Sequence, residues 1–208
     1  MLRIALFFLL YISTLSGALV GTQTAQAELL IEITQGRDNP TSIAVVPFSW
    51  DGGGLPPEDV ANVVNGDLLR SGQFSPVSRE DMLSQPRRES EIYYRDWRAL
   101  NVEYLVLGRI RAGASVSIEY ELYDVFRQDK ILSGTLEGDP AEMRMLAHRV
   151  SDAIYGQLTG IRGAFATRLL YVSVERREGL NDLYSLVLSD ADGARPQVLL
   201  TQIGRAHV

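Results

Sequence analysis

Leu29, Ile31 and Ile33 alternate with Leu30, Glu32 and Thr34 near the start of the chain, the two-residue period of a β-strand. The run "TSIAVVPF" (41–48) reads as a buried strand, and the glycine- and proline-rich "DGGGLPP" after it as the loop that ends it. The period then changes. Val60, Val63, Val64 and Leu68 form one helical stripe, with Pro57 expected as the first helical residue, Glu58 and Asp59 in the first turn and Gly72 as the stop. A short strand at "FSPVS" follows, and Ser90 is placed to cap a helix carrying Tyr93, Trp97 and Leu100 at i, i+4 and i+7.

Three strand-like runs come next, at 102–110, 115–126 and 130–138, with hairpin-sized connections that suit an antiparallel meander. Asp139, Pro140 and Glu142 then mark the start of a helix whose stripe is Met143, Leu146, Val150, Ile154 and Leu158, ending near Gly160. These elements predict an α/β (α+β) domain, a mixed sheet under packed helices, closing near residue 163. Beyond it "TRLLYVSVER" and "DLYSLVLSDADGARPQVLL" are pure β, the second containing an Asp-Gly turn. Two or three such strands are not expected to be stable alone.

The first residues carry a different signal. Arg3, the apolar run "IALFFLLYI" and the small Ala25 and Ala27 have the arrangement of an export signal, so residues 1–27 are expected to be removed, and the apolar run is too short to favour a membrane span. Arg3 is the one charged residue in that segment, and its loss leaves 19 basic against 26 acidic residues, a net charge of −7. Such a balance argues against a nucleic-acid partner, which needs a basic face. An exported chain without cysteine must hold its fold by its core, and none of the alternatives that cysteine supplies is open to it. The final "IGRAHV" (203–208) is what the codons ATC GGA AGA GCA CAC GTC would encode, the common start of a sequencing adapter, so these residues are expected to be non-native.

Candidate chemistry is sparse. His148 and His207 are the only imidazoles, and a Ser/His/Asp triad would have to use His148, which falls beside the apolar stripe of its helix and reads as a surface or half-buried residue. One credible imidazole also leads to an expectation of no metal and no cofactor. Glu119 and Glu121 share a strand face at a spacing compatible with a glycosidase carboxylate pair, which makes a hydrolase of envelope glycans the rival reading. The plainer reading puts Ser117, Glu119 and Glu121 on the solvent face, with Val116, Ile118, Tyr120 and Leu122 in the core. The glycines of "FSWDGGGLPPEDV" lack a phosphate-loop spacing, and "SDADG" has its glycine at the wrong offset for a calcium loop.

Several motifs in order resemble one family. "ELLIEITQG", "AVVPFSW", "PEDV", "DLLRSGQFSPVSR" and above all "LTGIRGAFATRLLYV", at the junction of the α/β and β parts, are similar to the TolB family of the Tol-Pal cell-envelope system. The resemblance implies a periplasmic adaptor without enzymatic activity that serves envelope integrity and cell division. It implies an N-terminal α/β domain over 28–163 and a β-propeller begun by an incomplete blade over 164–202. The family's propeller binds the outer-membrane lipoprotein Pal, and its mature N-terminus binds the C-terminal domain of the inner-membrane protein TolA. That segment maps to Glu28, Leu29, Leu30, Ile31, Glu32, Ile33, Thr34 and Gln35, with Leu29 and Leu30 at variable positions. A monomer is expected. A strand at a free chain end can add to the edge of a partner's sheet, which gives the opening alternation a purpose.

Overall fold

The computed structural model describes residues 39–203. The expected export signal 1–27, the strand 28–35 and residues 204–208 lie outside the described residues. Strand β1 (Thr41–Val45) is followed by the short β2 (Ser49–Trp50), helix α1 (Val60–Arg70) and β3 (Phe74–Pro76). Two single 3-10 turns, Arg79–Asp81 and Glu89–Glu91, lead into helix α2 (Tyr94–Ala99). Strands β4 (Tyr104–Arg111), β5 (Val116–Asp124) and β6 (Asp129–Gly138) come next, then a 3-10 turn (Pro140–Glu142) that runs into helix α3 (Met143–Thr159). The described chain ends in β7 (Arg168–Glu175), β8 (Leu183–Asp190) and β9 (Gln197–Ile203).

Strands β1 to β6 form one mixed sheet in the order β3-β1-β4-β5-β6, with β2 beside β4. β1 runs parallel to β3 and β4, as strands joined through a helical crossover must, and β4, β5 and β6 are the expected antiparallel meander. Alternation divides the strands between two cores. Ile43, Val45, Val106, Ile110, Ile118, Tyr120 and Leu122 pack under the apolar stripes of α1 and α3, while Ala44, Val46, Leu105, Leu107, Tyr123 and Val125 pack against Ile92, Trp97 and Val102 on the other face. Gly108 is needed where it stands, because a Cβ there would lie 2.1 Å from the Phe48 ring.

Helix starts differ from the sequence pattern in three places. Helix α1 begins at Val60 and not at Pro57, because Asp59 in extended conformation accepts a hydrogen bond from the Asn62 amide at 3.1 Å and so is itself the N-cap. Ser90 caps nothing. It sits inside the turn Glu89–Glu91, which the Arg87 amide closes on the Glu91 carboxylate at 2.8 Å, and α2 starts later at Tyr94 with Trp97 as its buried anchor. Asp139 and Pro140 open the 3-10 turn Pro140–Glu142, with the Asp139 carboxylate accepting from the Ala141 amide, and α3 itself starts after it at Met143 and closes, as expected, at Gly160 with φ +72°.

Strands β7, β8 and β9 form a separate antiparallel sheet. Every residue of β7 is exposed, and Val187 is the one buried apolar side chain of the three strands among the described residues.

Candidate functional site at the junction of helix and hairpin

The apolar stripes of α1 and α3 each carry polar side chains into the interior. Asp67 follows Val60, Val63 and Val64 at i+7, i+4 and i+3, and His148 and Ser151 flank Ala147 and Val150 on α3. All three are fully buried. The Asp67 Oδ2 accepts from Ser151 Oγ at 2.6 Å and meets His148 Nδ1 at 2.7 Å, while its Oδ1 takes an ion pair from Arg70. A carboxylate accepts, so the His148 Nδ1–H donates to Asp67.

Nε2 points towards the β8–β9 hairpin and has no hydrogen-bond partner. Its nearest carboxylate oxygen is Asp192 Oδ2, at 3.8 Å. One ligand atom each from His148, Asp190 and Asp192 lie within 4.8 Å of one another. Arg144, one turn before His148, pairs with Asp192 and with Glu58 Oε1 at 3.1 Å, and Arg195 pairs with Asp190 Oδ2 at 2.7 Å. Burial pushes the Asp192 carboxyl up, but the Ala194 amide and the Arg144 guanidinium more than offset that and hold it below the ordinary range. A groove of about 460 Å³ between α1, the Pro76–Arg79 segment and the hairpin opens onto Arg144 and Asp192.

The linker that follows α3 is tied to the same helix. Asp152 accepts from the Phe165 amide at 2.7 Å and the Ala166 amide at 3.2 Å, and Tyr155 meets Phe165 edge to face. Gly163 permits this approach, since a Cβ there would lie 2.6 Å from the Asp152 Cα. These contacts account for the part of "LTGIRGAFATRLLYV" that lies between the two sheets.

The other sequence candidates fall elsewhere. Glu28 to Gln35 lie outside the described residues. Glu119 pairs with Arg109 at 2.9 Å and Arg111 at 2.7 Å, and Glu121 with Lys130 at 3.1 Å. Burial raises the Glu121 carboxyl, yet hydrogen bonds from Lys130 and Tyr123 bring it below the ordinary value. A glycosidase needs one carboxyl kept protonated, so this pairing gives the hydrolase reading no support. His148 is not the surface or half-buried residue its position beside the stripe suggests, because Asp67 on the neighbouring helix supplies a buried partner. Asp51 and Asp59, near the glycine loop, satisfy the Ala112 amide and Arg79. The sequence signal for the junction cluster is a polar residue on an apolar helical stripe, legible at Asp67; Asp190 and Asp192, on a hairpin, carry no such mark.

A mixed sheet between helices, tied through a buried polar cluster to a second antiparallel sheet, defines a two-part α/β and β scaffold. Residues 29–131 match the model of the TolB amino-terminal domain, and the chain belongs to the TolB family. It is 45% identical over 177 residues to a Tol-Pal system protein TolB of Pseudomonas fluorescens, covering 85% of this chain and 41% of that protein. The corresponding protein of Pseudomonas aeruginosa is 42% identical over 201 residues, covering 96% of this chain and 44% of that one. The crystal structure of TolB from Acinetobacter baumannii superposes with a TM-score of 0.68 at 34% identity, over 82% of this chain and 41% of that one. The chain thus spans less than half the length of these relatives. Among the described residues no helix is long and apolar enough to cross a membrane.

Proposed function

We propose that this chain serves as a periplasmic adaptor of the Tol-Pal system, linking TolA at the inner membrane to Pal at the outer membrane in support of envelope integrity and cell division. It acts by binding and not by catalysis. The observation that carries the reading is the relatives' shared name, Tol-Pal system protein TolB, over nearly the whole of this chain. Residues 28–35 are the TolA-binding segment: a strand at a free chain end offers unpaired N–H and C=O groups to a partner's sheet edge, and alternate side chains choose the partner. The α/β unit spans 28–163, and the sheet of β7, β8 and β9, over 164–202, opens a β-propeller whose remaining blades would carry the Pal surface. The exposed faces of that sheet suit such a role, since further strands would cover them.

The test is a calorimetric titration of the mature chain with the TolA C-terminal domain, beside the same chain lacking residues 28–35. Binding that disappears with the deletion is the expected result. Equal binding by both chains would place TolA recognition outside this segment.

A further inference from the structure

Four arginines line one cleft of an otherwise acidic chain. Arg109 and Arg111, two positions apart on β4, stand on the same face of the sheet. Arg87 and Arg88 reach the cleft from the segment before α2, which the buried Pro86 and the bond from the Arg87 amide to Glu91 at 2.8 Å hold in place. Strand β2 lies beside β4 and sets Ser49 opposite Arg109. The cleft has a volume of about 450 Å³.

The neighbouring carboxylates fix these guanidiniums without using them up. Glu119 Oε2 accepts from Arg109 Nε at 3.0 Å, its Oε1 pairs with Arg111 at 2.7 Å, and Glu91 Oε1 pairs with Arg88 Nε at 3.0 Å. A guanidinium carries more N–H donors than one carboxylate contact uses, so all three keep donors for a ligand. The Arg87 guanidinium has no ion pair among the described residues. Asp51 is the one acid in the lining, and its Oδ1 is turned to the Ala112 amide at 2.6 Å. Arg87, Arg88, Arg109 and Arg111 against Asp51, Glu91 and Glu119 leave one positive charge over, in a chain whose formal net charge is −6.

The direction of the donors separates phosphate from carboxylate. A carboxylate is planar and is satisfied by a single guanidinium fork, whereas a tetrahedral phosphate offers acceptor oxygens in several directions. Here donors come from β4 on one side and from the Arg87–Arg88 segment on another. We propose that this cleft binds the phosphoryl group of a phosphate monoester, with Arg87, Arg88, Arg109 and Arg111 as its donors and Glu91 and Glu119 as the positioning residues behind them. The adjacent glycines, which lack a phosphate-loop spacing, take no part, since guanidiniums supply the charge. The site belongs to the α/β unit and is independent of the TolA and Pal reading.

The experiment is calorimetric titration of the full chain at low ionic strength with inorganic phosphate, with glycerol phosphate and, as the carboxylate control, with acetate. One saturable site is expected for both phosphates, at least about tenfold tighter than for acetate. Arg87→Gln and Arg111→Gln are each expected to weaken phosphate binding by about tenfold. Arg88→Lys, which keeps the charge and loses the fork, is expected to weaken it as well. Arg149→Gln removes an exposed charge of α3 outside the cleft and is expected to leave binding unchanged. Flotation with vesicles of phosphatidic acid in phosphatidylcholine separates the sources of the ester. Flotation lost in Arg87→Gln assigns a lipid head group, and no flotation beside saturable glycerol phosphate binding assigns a soluble one. No saturable binding of either phosphate up to about 10 mM would overturn the proposal. So would binding that acetate matches, or that Arg87→Gln and Arg111→Gln both leave undiminished.

Discussion

Glu121 accepts from Tyr123 Oη at 2.9 Å on one oxygen and from Lys130, the only lysine of the chain, at 3.1 Å on the other. Burial followed by the Glu121 contact pushes the Tyr123 phenol well up, so it stays a donor throughout the ordinary range of pH. Lys130 is raised, mainly by its bond to Glu121. The sign for stability follows from the lowered carboxyl. Its ionised form is favoured in the fold, so the contribution is complete above the unfolded glutamate range, near about pH 4.3, and is lost as pH falls through the folded value. Wild type and Glu121→Gln should therefore differ most in urea unfolding at neutral pH, and the gap should close on acidification. A gap independent of pH would mean that shape and not charge carries the effect. Alternation along β5 made Glu119 and Glu121 legible as one face; their separate cations were not, since Arg109 lies on β4 and Lys130 on β6, and register is a property of the folded sheet.

At the scale of elements, α3 does more than cover the sheet. Its buried stripe of Met143, Leu146, Val150 and Ile154 packs on β5, β6 and α1, while Arg144, His148 and Asp152 reach towards the hairpin and the linker. Asp152 holds two linker amides at once. Replacing it by alanine removes both acceptors and is expected to cost about 1–3 kcal/mol, read by urea unfolding, with faster hydrogen exchange at the Phe165 and Ala166 amides. Unchanged exchange there would show that the Tyr155–Phe165 contact alone fixes the linker. The helix itself was plain in the sequence from its spacing and from Asp139, Pro140 and Gly160, because caps and period are local. The shift of α1 from Pro57 to Val60 was not, since two acidic residues compete for the cap and the loop geometry picks Asp59.

Across the whole molecule the two sheets differ in what supports them. The six-stranded sheet is covered on both faces by apolar side chains, whereas Leu169, Leu170, Val172, Val174, Val198 and Leu200 of the second sheet are exposed. A three-stranded sheet with so little buried surface opens at low free energy. Amides of β7 and β9 should exchange faster than those of β4 and β5 under native conditions, read residue by residue by nuclear magnetic resonance. Equal protection would show that the junction cluster and the linker contacts make the two sheets one cooperative unit.

Hydrophobic period, caps and turn residues by themselves determined the element types, the antiparallel meander, the well-marked last helix and the change to pure β after residue 163, because each rests on neighbours within a few positions. The family motifs were equally legible, as ordered strings in one dimension. Tertiary structure alone decided the strand order, with β1 between β3 and β4, and the meeting of Asp67, His148, Asp190 and Asp192 from two helices and a hairpin. Those four residues lie up to 125 positions apart along the chain, and only packing, which acts through space and sets which buried groups must satisfy one another, brings them into contact.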